Sequence, residues 1–231
     1  MLRCDPRSLR APPPAPPAWL AGWREADARA GAAIDAMLGD ELSQPNVVRT
    51  LAAALPPEAT LFVAASLAVR ELESFWPVLT ASPRVLSNRG ANGIDGTIST
   101  AFGIAAVTDG PTVALVGDVA LAHDIGGLLA ARRLAIGLTI VLVDNGGGAI
   151  FDRLPIATQL DVYEQHVATP TGLDFAHAAA LYGLPYTTPA TLGELRDALG
   201  APGLVHVRTD RARELALAAR LTSIRAGAPR A

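Results

Sequence analysis

Short apolar runs alternate with segments of helical periodicity from residue 60 to residue 224. The runs have the length and β-branched content of buried parallel strands. We predict strands at residues 61–65, 85–87, 113–116, 138–143, 186–187 and 205–207. Helical spacing predicts helices at residues 66–75, 97–107, 120–134, 175–182, 192–200 and 211–224. The alternation predicts an α/β fold, a doubly wound parallel sheet of about six strands with helices on both faces.

Helical patterns also precede the first predicted strand. Residues 19–38 are alanine-rich with apolar residues at helical spacing, and Ser43 is placed to cap a second helix that ends before Pro56. The sequence APPPAPP closes residues 1–17 and favours extended polyproline II. We therefore predict a proline-rich disordered start over 1–17 and a helical segment, the remnant of a middle domain, over 18–57. The α/β domain then spans 58–225, and 226–231 form a tail.

Two local patterns refine the second half of the chain. Residues 152–172 show little periodicity, and we predict a surface loop with a short helix there. Thr191 is followed three residues later by Glu194, which is the spacing of a capping box at a helix N-terminus.

Composition excludes several classes of function. The chain of 231 residues is 50% hydrophobic and 18% charged. Its net charge is −3, so the composition gives no indication of nucleic-acid binding. None of its 19 basic residues is lysine, which excludes a lysine Schiff base and a P-loop lysine. Cys4 is the one cysteine, so an intrachain disulfide is excluded. The apolar runs are too short to span a membrane and the N-terminus has no signal-peptide pattern, so we predict a cytoplasmic protein.

Polar residues follow two of the buried strands directly. Gly117 and Asp118 follow the third strand, and Asn145 with three glycines follows the fourth. Carboxyl ends of parallel strands meet at one sheet edge, and a carboxylate with an amide oxygen there suits Mg²⁺ bridging a diphosphate. The plainer alternative is that two loops need Gly and Asp to turn, with Asp118 serving only as a helix N-cap.

The same residues carry a resemblance. Gly117-Asp118, 26 intervening residues and then Asn145-Gly-Gly-Gly resemble the cofactor motif of thiamine-diphosphate enzymes, although Val119 stands where the general motif has a third glycine. With SNRGANGIDGTIST at 87–100, HDIGGLL at 123–129 and AIF at 149–151, the chain resembles one branch of that family over about residues 19–221. That branch is the 2-succinyl-5-enolpyruvyl-6-hydroxy-3-cyclohexene-1-carboxylate synthases of menaquinone biosynthesis.

The resemblance implies a cofactor site with thiamine diphosphate and Mg²⁺ or Mn²⁺. Its metal ligands would be the side chains of Asp118 and Asn145 and the backbone carbonyl of Gly147. The implied cofactor-binding residues are Ser66, Gly117, Asp118, Val119, Asn145, Gly147, Ile150 and Phe151. Asp144 occupies a position where relatives often have Asn, and we do not assign it to the metal.

The resemblance also implies substrate contacts and catalytic residues. Arg70 and Arg89 suit a carboxylate-bearing substrate, and Ile94 would hold the cofactor in its bent form. The implied substrate-binding residues are Ser66, Arg70, Arg89, Ile150, Phe151 and Leu154, and the implied catalytic residues are Arg70, Arg89 and Ile94.

Structural alternatives stand beside these roles. Arg70 could pair with Glu71 or Glu73 on a solvated helix, Ile94 could anchor its loop, and 150–154 could be plain core. The dipeptide His123-Asp124 suggests acid–base catalysis, but adjacent helical residues point about 100° apart, so neither is assigned a role.

The reaction implied by the resemblance is decarboxylation of 2-oxoglutarate and addition of the succinyl-semialdehyde carbanion to isochorismate. The glutamate that contacts the pyrimidine normally lies in a separate pyrimidine-binding domain, and Glu71 and Glu73 match no such motif. We therefore expect the C-terminal part of a longer, homo-oligomeric (homodimeric) enzyme, inactive alone, whose pyrimidine-binding domain comes from another chain or from upstream sequence. Alternatives are the diphosphate-binding subunit of another thiamine-diphosphate 2-oxoacid decarboxylase and a non-catalytic remnant. A Rossmann domain is weaker, because no G-x-G-x-x-G follows the first strand.

Overall fold

The computed structural model describes residues 14–88 and 93–224. Its helices are α1 (Pro17–Leu38), α2 (Gln44–Ala54), α3 (Leu67–Phe75), α4 (Thr97–Ala105), α5 (Asp118–His123), α6 (Leu129–Leu134), α7 (Leu160–Tyr163), α8 (Phe175–Tyr182), α9 (Leu192–Ala198) and α10 (Arg211–Leu221). Its strands are β1 (Thr60–Val63), β2 (Arg84–Ser87), β3 (Thr112–Gly117), β4 (Thr139–Asp144), β5 (Tyr186–Thr187) and β6 (Gly203–Arg208).

The six strands form one sheet in the order β2-β1-β3-β4-β6-β5, and every neighbouring pair is parallel. This confirms the predicted doubly wound α/β fold. The chain runs outward from β1 to β2 and then returns to place β3 on the other side of β1. The strand order therefore reverses between β1 and β3, and the carboxyl ends of strands at such a point form a crevice where ligands bind.

The two faces of the sheet bury alternate residues of the same strands. Phe62, Ala114 and Leu142 belong to a cluster that includes residues of α4, α5 and α8. Leu61, Leu115 and Val141 belong to a second cluster that includes residues of α2 and α9. Because helices cover both faces, both alternating sets must be apolar, which explains why the strands read as continuous hydrophobic runs.

Helix α2 begins and ends as its sequence predicts. Ser43 has an extended backbone, its side chain accepts a hydrogen bond from the amide of Asn46, and Pro45 stands in the first turn, where it costs no hydrogen bond. The helix ends before Pro56, and Val47, Val48 and Leu51 are fully or almost fully buried.

The crossover between β3 and β4 differs from the prediction of one continuous helix over 120–134. α5 ends at His123, a 3₁₀ turn follows at Ile125–Leu128, and α6 begins at Leu129. At the break, which contains Gly126 and Gly127, the Asp124 carboxylate accepts hydrogen bonds from the amide and the hydroxyl of Ser99 in the first turn of α4, at 2.8 and 3.3 Å. Since the N-cap residue of α4 is Gly96, which has no side chain to cap with, Asp124 supplies that oxygen.

The capping of α9 also differs in one detail. Thr191 accepts from the amide of Glu194 at 3.1 Å, as a capping box requires. The Glu194 carboxylate, however, accepts from the amide of Ala190, one residue before the cap, at 2.7 Å.

Residues 149–168, in the stretch expected to be a surface loop with a short helix, form 3₁₀ turns, α7 and a π-helical turn at Glu164–Ala168.

The chain forms two compact units. One consists of Leu38–Ala219 and contains the whole sheet. The other consists, within the described residues, of 14–37 and 220–224. In this second unit the rings of Trp19 and Trp23 meet edge to face at 6.1 Å. Within the described part of the chain, no helix is both long and apolar enough to cross a membrane.

Candidate functional site

A cavity of about 230 Å³ lies at the carboxyl ends of β1, β3 and β4, beside the reversal of strand order. Loops after all three strands line it, so residues far apart in sequence meet there. Nine of the residues singled out from the sequence are in its lining: Ser66, Ile94, Gly117, Asp118, Val119, Asn145, Gly147, Ile150 and Phe151.

The loops after β3 and β4 are joined by a hydrogen bond. The Asp118 carboxylate, only 2% exposed, accepts from the backbone amide of Gly147 at 2.7 Å. Asp118 is the first residue of α5, and Gly117 occupies the N-cap position. The alternative that Asp118 serves only as an N-cap is therefore wrong, since its carboxylate reaches a loop 29 residues further along the chain.

Asn145 brings an unsatisfied oxygen to the same cavity. Its side chain is 8% exposed, and its Oδ1 has no hydrogen-bond partner. A buried polar atom without a hydrogen-bond partner is rare in proteins, and a ligand in the cavity would explain this one. The carbonyl of Gly147 accepts from the amide of Ala149 at 2.9 Å and retains a second lone pair. The oxygens in this part of the cavity are thus of the kind that Mg²⁺ prefers.

The protein's own backbone and packing require glycine at position 147 but not at position 117. Gly147 has φ +122°, and a Cβ there would lie 2.4 Å from the carbonyl oxygen of Ala168. Gly117 has an ordinary extended backbone, and a Cβ would meet nothing within 4 Å. Backbone conformation and packing therefore leave the glycine at position 117 unexplained, whereas a ligand close to the backbone would account for it.

The carboxylates of Asp118 and Asp144 influence each other. Burial, and after it the charge of Asp144, raises the pKa of Asp118 to about 6. Burial also opposes ionisation of Asp144, but hydrogen bonds from His206 and from the amide of Gly146 outweigh it and lower the pKa of Asp144. A divalent cation between the two loops would stabilise both charges.

Ser66 has an unusual backbone conformation at the mouth of the cavity. Its φ of +73° and ψ of −129° are rare for a residue with a side chain, and such strain is concentrated at functional sites. Nη1 of Arg70 donates to the carbonyl of Ser66 at 2.6 Å, so the described contact of Arg70 is with its own helix start rather than with Glu71 or Glu73.

The other predicted substrate residues lie in different positions. Arg70 and Leu154 are outside the cavity lining, and Leu154 is 50% exposed. Arg89 lies outside the described residues. Ile94 lines the cavity and also packs against the core, so it does anchor its loop, and its role toward the cofactor stays a prediction. Phe151 is 39% exposed and is therefore not a plain core residue.

Two ion pairs hold the segment that carries Ile150 and Phe151. Arg211 donates to both carboxylate oxygens of Asp152, at 2.7 and 3.1 Å. Arg153 lies 3.4 Å from the buried Glu71. Sequence reasoning missed these partners, because they are 59 and 82 residues apart and no local pattern marks them.

The buried Glu71 influences the part-buried Glu214 electrostatically. Burial raises the pKa of Glu214 to about 7 against the hydrogen bond from the amide of Gln44, and the charge of Glu71 adds to the rise. Burial also raises the pKa of Glu71, which Arg153 opposes. Ionisation of Glu214 therefore costs more in the folded protein than in the unfolded chain.

We expect Glu214→Gln to remove part of the pH dependence of stability. Because the folded-state pKa of about 7 exceeds the unfolded value of 4.5, the wild-type free energy of unfolding should fall as pH rises from about 4.5 to 7. The variant should lack the contribution of Glu214 to this fall and be more stable above pH 7 by on the order of 1 kcal/mol. Urea unfolding between pH 4.5 and 8 measures the difference, with the exposed Glu58→Gln as control. Parallel curves for wild type and Glu214→Gln would contradict it.

His123 and Asp124 do not form an acid–base pair. The Asp124 carboxylate is engaged with Ser99, and His123 lies 3.8 Å from the exposed Asp95. Among the described residues, no group of three or more His, Cys, Asp or Glu is placed to hold a metal ion. A metal here would therefore depend on mixed carboxylate, amide and carbonyl oxygens.

Known proteins resemble this chain in sequence. Two synthases of the 2-succinyl-5-enolpyruvyl-6-hydroxy-3-cyclohexene-1-carboxylate type are similar to it: that of Bacillus velezensis is 42% identical over 85% of the chain, and that of Myxococcus xanthus 44% identical over 84%. The match covers 35% of each relative, so the chain spans about a third of their length.

Solved structures support the fold. The Rhodococcus jostii RHA1 thiamine diphosphate-dependent 4-hydroxybenzoylformate decarboxylase superposes with a TM-score of 0.56 at 21% identity, over 75% of this chain and 33% of that one. A thiamin diphosphate-dependent enzyme from Mycobacterium smegmatis gives a TM-score of 0.58 at 20% identity, over the same shares of the two chains. At these identities the likeness concerns the fold alone.

The family described as "Thiamine pyrophosphate enzyme, C-terminal TPP binding domain" matches residues 71–207, which is more than half of the chain. This range includes β3, β4 and the loops that join at Asp118 and Gly147. The sequence resemblance is thus confirmed, and the chain belongs to the thiamine pyrophosphate enzymes as a C-terminal TPP binding domain.

Proposed function

We propose that the chain is the diphosphate-binding part of a 2-succinyl-5-enolpyruvyl-6-hydroxy-3-cyclohexene-1-carboxylate synthase. In this role it would bind thiamine diphosphate with Mg²⁺ or Mn²⁺ and act on 2-oxoglutarate and isochorismate in menaquinone biosynthesis. The observation that carries the proposal is the junction of Asp118 with the amide of Gly147, beside the orphan oxygen of Asn145.

The residues present fit the cofactor. The Asp118 carboxylate, the Asn145 amide oxygen and the Gly147 carbonyl would hold the divalent ion, which would in turn hold the diphosphate. Gly117 leaves room for a ligand beside its backbone, and Val119 and Ile150 line the same cavity. Thiamine diphosphate, when bound, supplies the electron sink that allows a 2-oxoacid to lose CO₂.

We also propose substrate and cofactor contacts for residues in and near the cavity. Ser66 and Arg70 would contact the carboxylates of the substrates, since guanidinium binds carboxylate in two hydrogen bonds. We keep Arg89 and Leu154 in that role as predictions. Ile94 would support the bent cofactor from the core side, and Phe151, which is part-exposed and lines the cavity, would contact the acceptor.

Cofactor binding provides the first test. Calorimetric titration of the chain with thiamine diphosphate should show saturable binding in the presence of Mg²⁺ and a loss of at least tenfold in affinity with excess EDTA, because the ion neutralises the charge between diphosphate and Asp118. Mn²⁺ should substitute for Mg²⁺. Equal affinity with and without the ion would refute the metal site.

Turnover tests the assignment of the reaction. The chain is mixed with the remaining N-terminal part of the Bacillus velezensis relative, which supplies the length that the match does not cover. We expect consumption of 2-oxoglutarate that depends on isochorismate, and little or none without the added part. Consumption without any need for isochorismate would instead indicate a 2-oxoacid decarboxylase, and turnover by the chain alone would contradict the predicted need for a separate pyrimidine-binding domain.

Three sequence predictions remain to be measured. The domain limits at 17, 57 and 225 call for limited proteolysis, and assembly into homo-oligomers, specifically a homodimer, calls for light scattering of the chain with and without its added part. Cell fractionation would test the cytoplasmic location.

A further inference from the structure

His206 is a polar ring in an otherwise apolar strand. It lies in β6 between Val205 and Val207, is 1% exposed, and packs edge to face on Phe175 with ring centroids 5.6 Å apart. An apolar side chain would fill this position without the cost of burying two ring nitrogens. Its presence therefore requires partners and a reason.

Both ring nitrogens are engaged. Nδ1 lies 2.7 Å from the hydroxyl of Tyr186 in β5, and Nε2 lies 2.9 Å from Oδ2 of Asp144 at the end of β4. Within the sheet, residue 142 is level with His206, so the ring reaches up its own face to the last residue of the neighbouring strand. A line of hydrogen bonds thus crosses β5, β6 and β4 toward the cavity.

The line continues into the loop of the proposed metal site. Oδ1 of Asp144 accepts from the amide of Gly146 at 3.1 Å, and the next amide, that of Gly147, donates to Asp118. Gly146 and Gly147 both have positive φ, at +77° and +122°, so the turn has no regular secondary structure. The carboxylates of Asp144 and Asp118, which accept from the amides of these two glycines, hold the turn in this conformation. Asn145 lies within this turn.

Asp144 joins His206 to the turn through its two carboxylate oxygens. Oδ2 lies 2.9 Å from Nε2 of His206, and Oδ1 accepts from the amide of Gly146. The contact with His206 therefore fixes the rotation of the carboxylate that holds Gly146. Without it, Asp144 is free to rotate away and release the amide of Gly146.

We propose that His206 is a positioning residue: through Asp144 it holds the turn of residues 144–148 in the shape in which Asn145 and Gly147 bind the metal–diphosphate. The proposal rests on the proposed function. It assigns to a buried core residue outside the cavity lining a share of cofactor affinity that packing alone would not give it.

The test compares three variants of the whole chain. His206→Phe keeps an aromatic ring against Phe175 but removes both hydrogen bonds. His206→Gln places a side-chain amide where Nε2 is and restores the bond to Asp144. Val205→Ala is a matched control, because it weakens the same strand from the opposite face at a residue 2% exposed.

Two readouts are needed, the Kd for thiamine diphosphate with Mg²⁺ by calorimetry and the exchange rate of the Gly146 amide in the ligand-free protein. We expect His206→Phe to raise the Kd at least tenfold and to speed Gly146 exchange. His206→Gln should stay within about threefold of wild type in both, and Val205→Ala should lower the melting temperature while leaving both within twofold.

An unchanged Kd and unchanged Gly146 exchange in His206→Phe would overturn the proposal, as would an equal loss of affinity in Val205→Ala. If His206→Phe does not fold, a His206→Gln protein with slow Gly146 exchange beside a His206→Ala protein with fast exchange supports the proposal, and equal rates overturn it. If the wild-type chain binds no thiamine diphosphate, the proposed function fails, while the exchange rates still decide whether His206 holds the turn.

Discussion

Replacing Asp118 with asparagine should weaken binding of thiamine diphosphate with Mg²⁺ by about two orders of magnitude, or about 2.7 kcal/mol. Asp118 is the one charged ligand in the proposed set, and an amide oxygen carries no net charge to hold a divalent ion. The fold should be no less stable, because the asparagine Oδ1 can still accept from the amide of Gly147 and the repulsion from Asp144 is removed.

Calorimetry gives the affinity, and thermal unfolding with and without Mg²⁺ and cofactor gives the stability. The matched control is Asp109→Asn, an exposed aspartate in the loop before β3, which should change neither quantity. Asp118→Asn binding within threefold of wild type would show that Asp118 does not hold the metal, whatever its place in the cavity.

Gly147→Ala should both destabilise the protein and abolish cofactor binding. The new Cβ would lie 2.4 Å from the carbonyl oxygen of Ala168 and 3.1 Å from backbone atoms of Pro170, and neither neighbour can rotate away. The φ of +122° adds strain for any residue with a side chain. We expect a loss of about 2–4 kcal/mol in the free energy of unfolding and at least a hundredfold loss of affinity, since the turn must move.

Urea unfolding and calorimetry measure the two effects. Gly103→Ala is the control, because Gly103 lies within α4 and a Cβ there meets nothing within 4 Å. That variant should gain up to about 1 kcal/mol and bind normally. A Gly147→Ala protein as stable as wild type would mean that the loop carrying Ala168 and Pro170 adapts, and normal binding by it would exclude a role for the turn conformation.

The core of the fold could be predicted from hydrophobic pattern alone. In a parallel sheet covered on both faces, the inner strands bury almost every residue, so β3 and β4 contain nearly unbroken apolar runs. Cap residues such as Ser43 and Thr191 act on amides two or three positions away, and local sequence therefore contains the whole interaction.

Interactions between distant segments could not be predicted in this way. At the break in the crossover helix, Asp124 accepts a hydrogen bond from Ser99 of α4, and no periodicity within 120–134 indicates that partner. The ion pair of Arg153 with Glu71 is equally hidden, because charged residues on a helix usually indicate a solvated face. For His206 one signal existed, a lone polar residue in the run LVHV, and it indicated that a partner was needed without indicating which.

By itself the sequence determined most of the elements, their parallel arrangement and the presence of Asp118 and Asn145 at the ends of two strands. Only the tertiary structure decided that the Asp118 carboxylate meets the amide of Gly147, that Asn145 keeps an unpaired oxygen, and that His206 lies in hydrogen-bond contact with Asp144. The reason is physical: apolar burial and helix capping act between neighbours along the chain, whereas buried polar atoms find their partners only after the strands have been brought side by side.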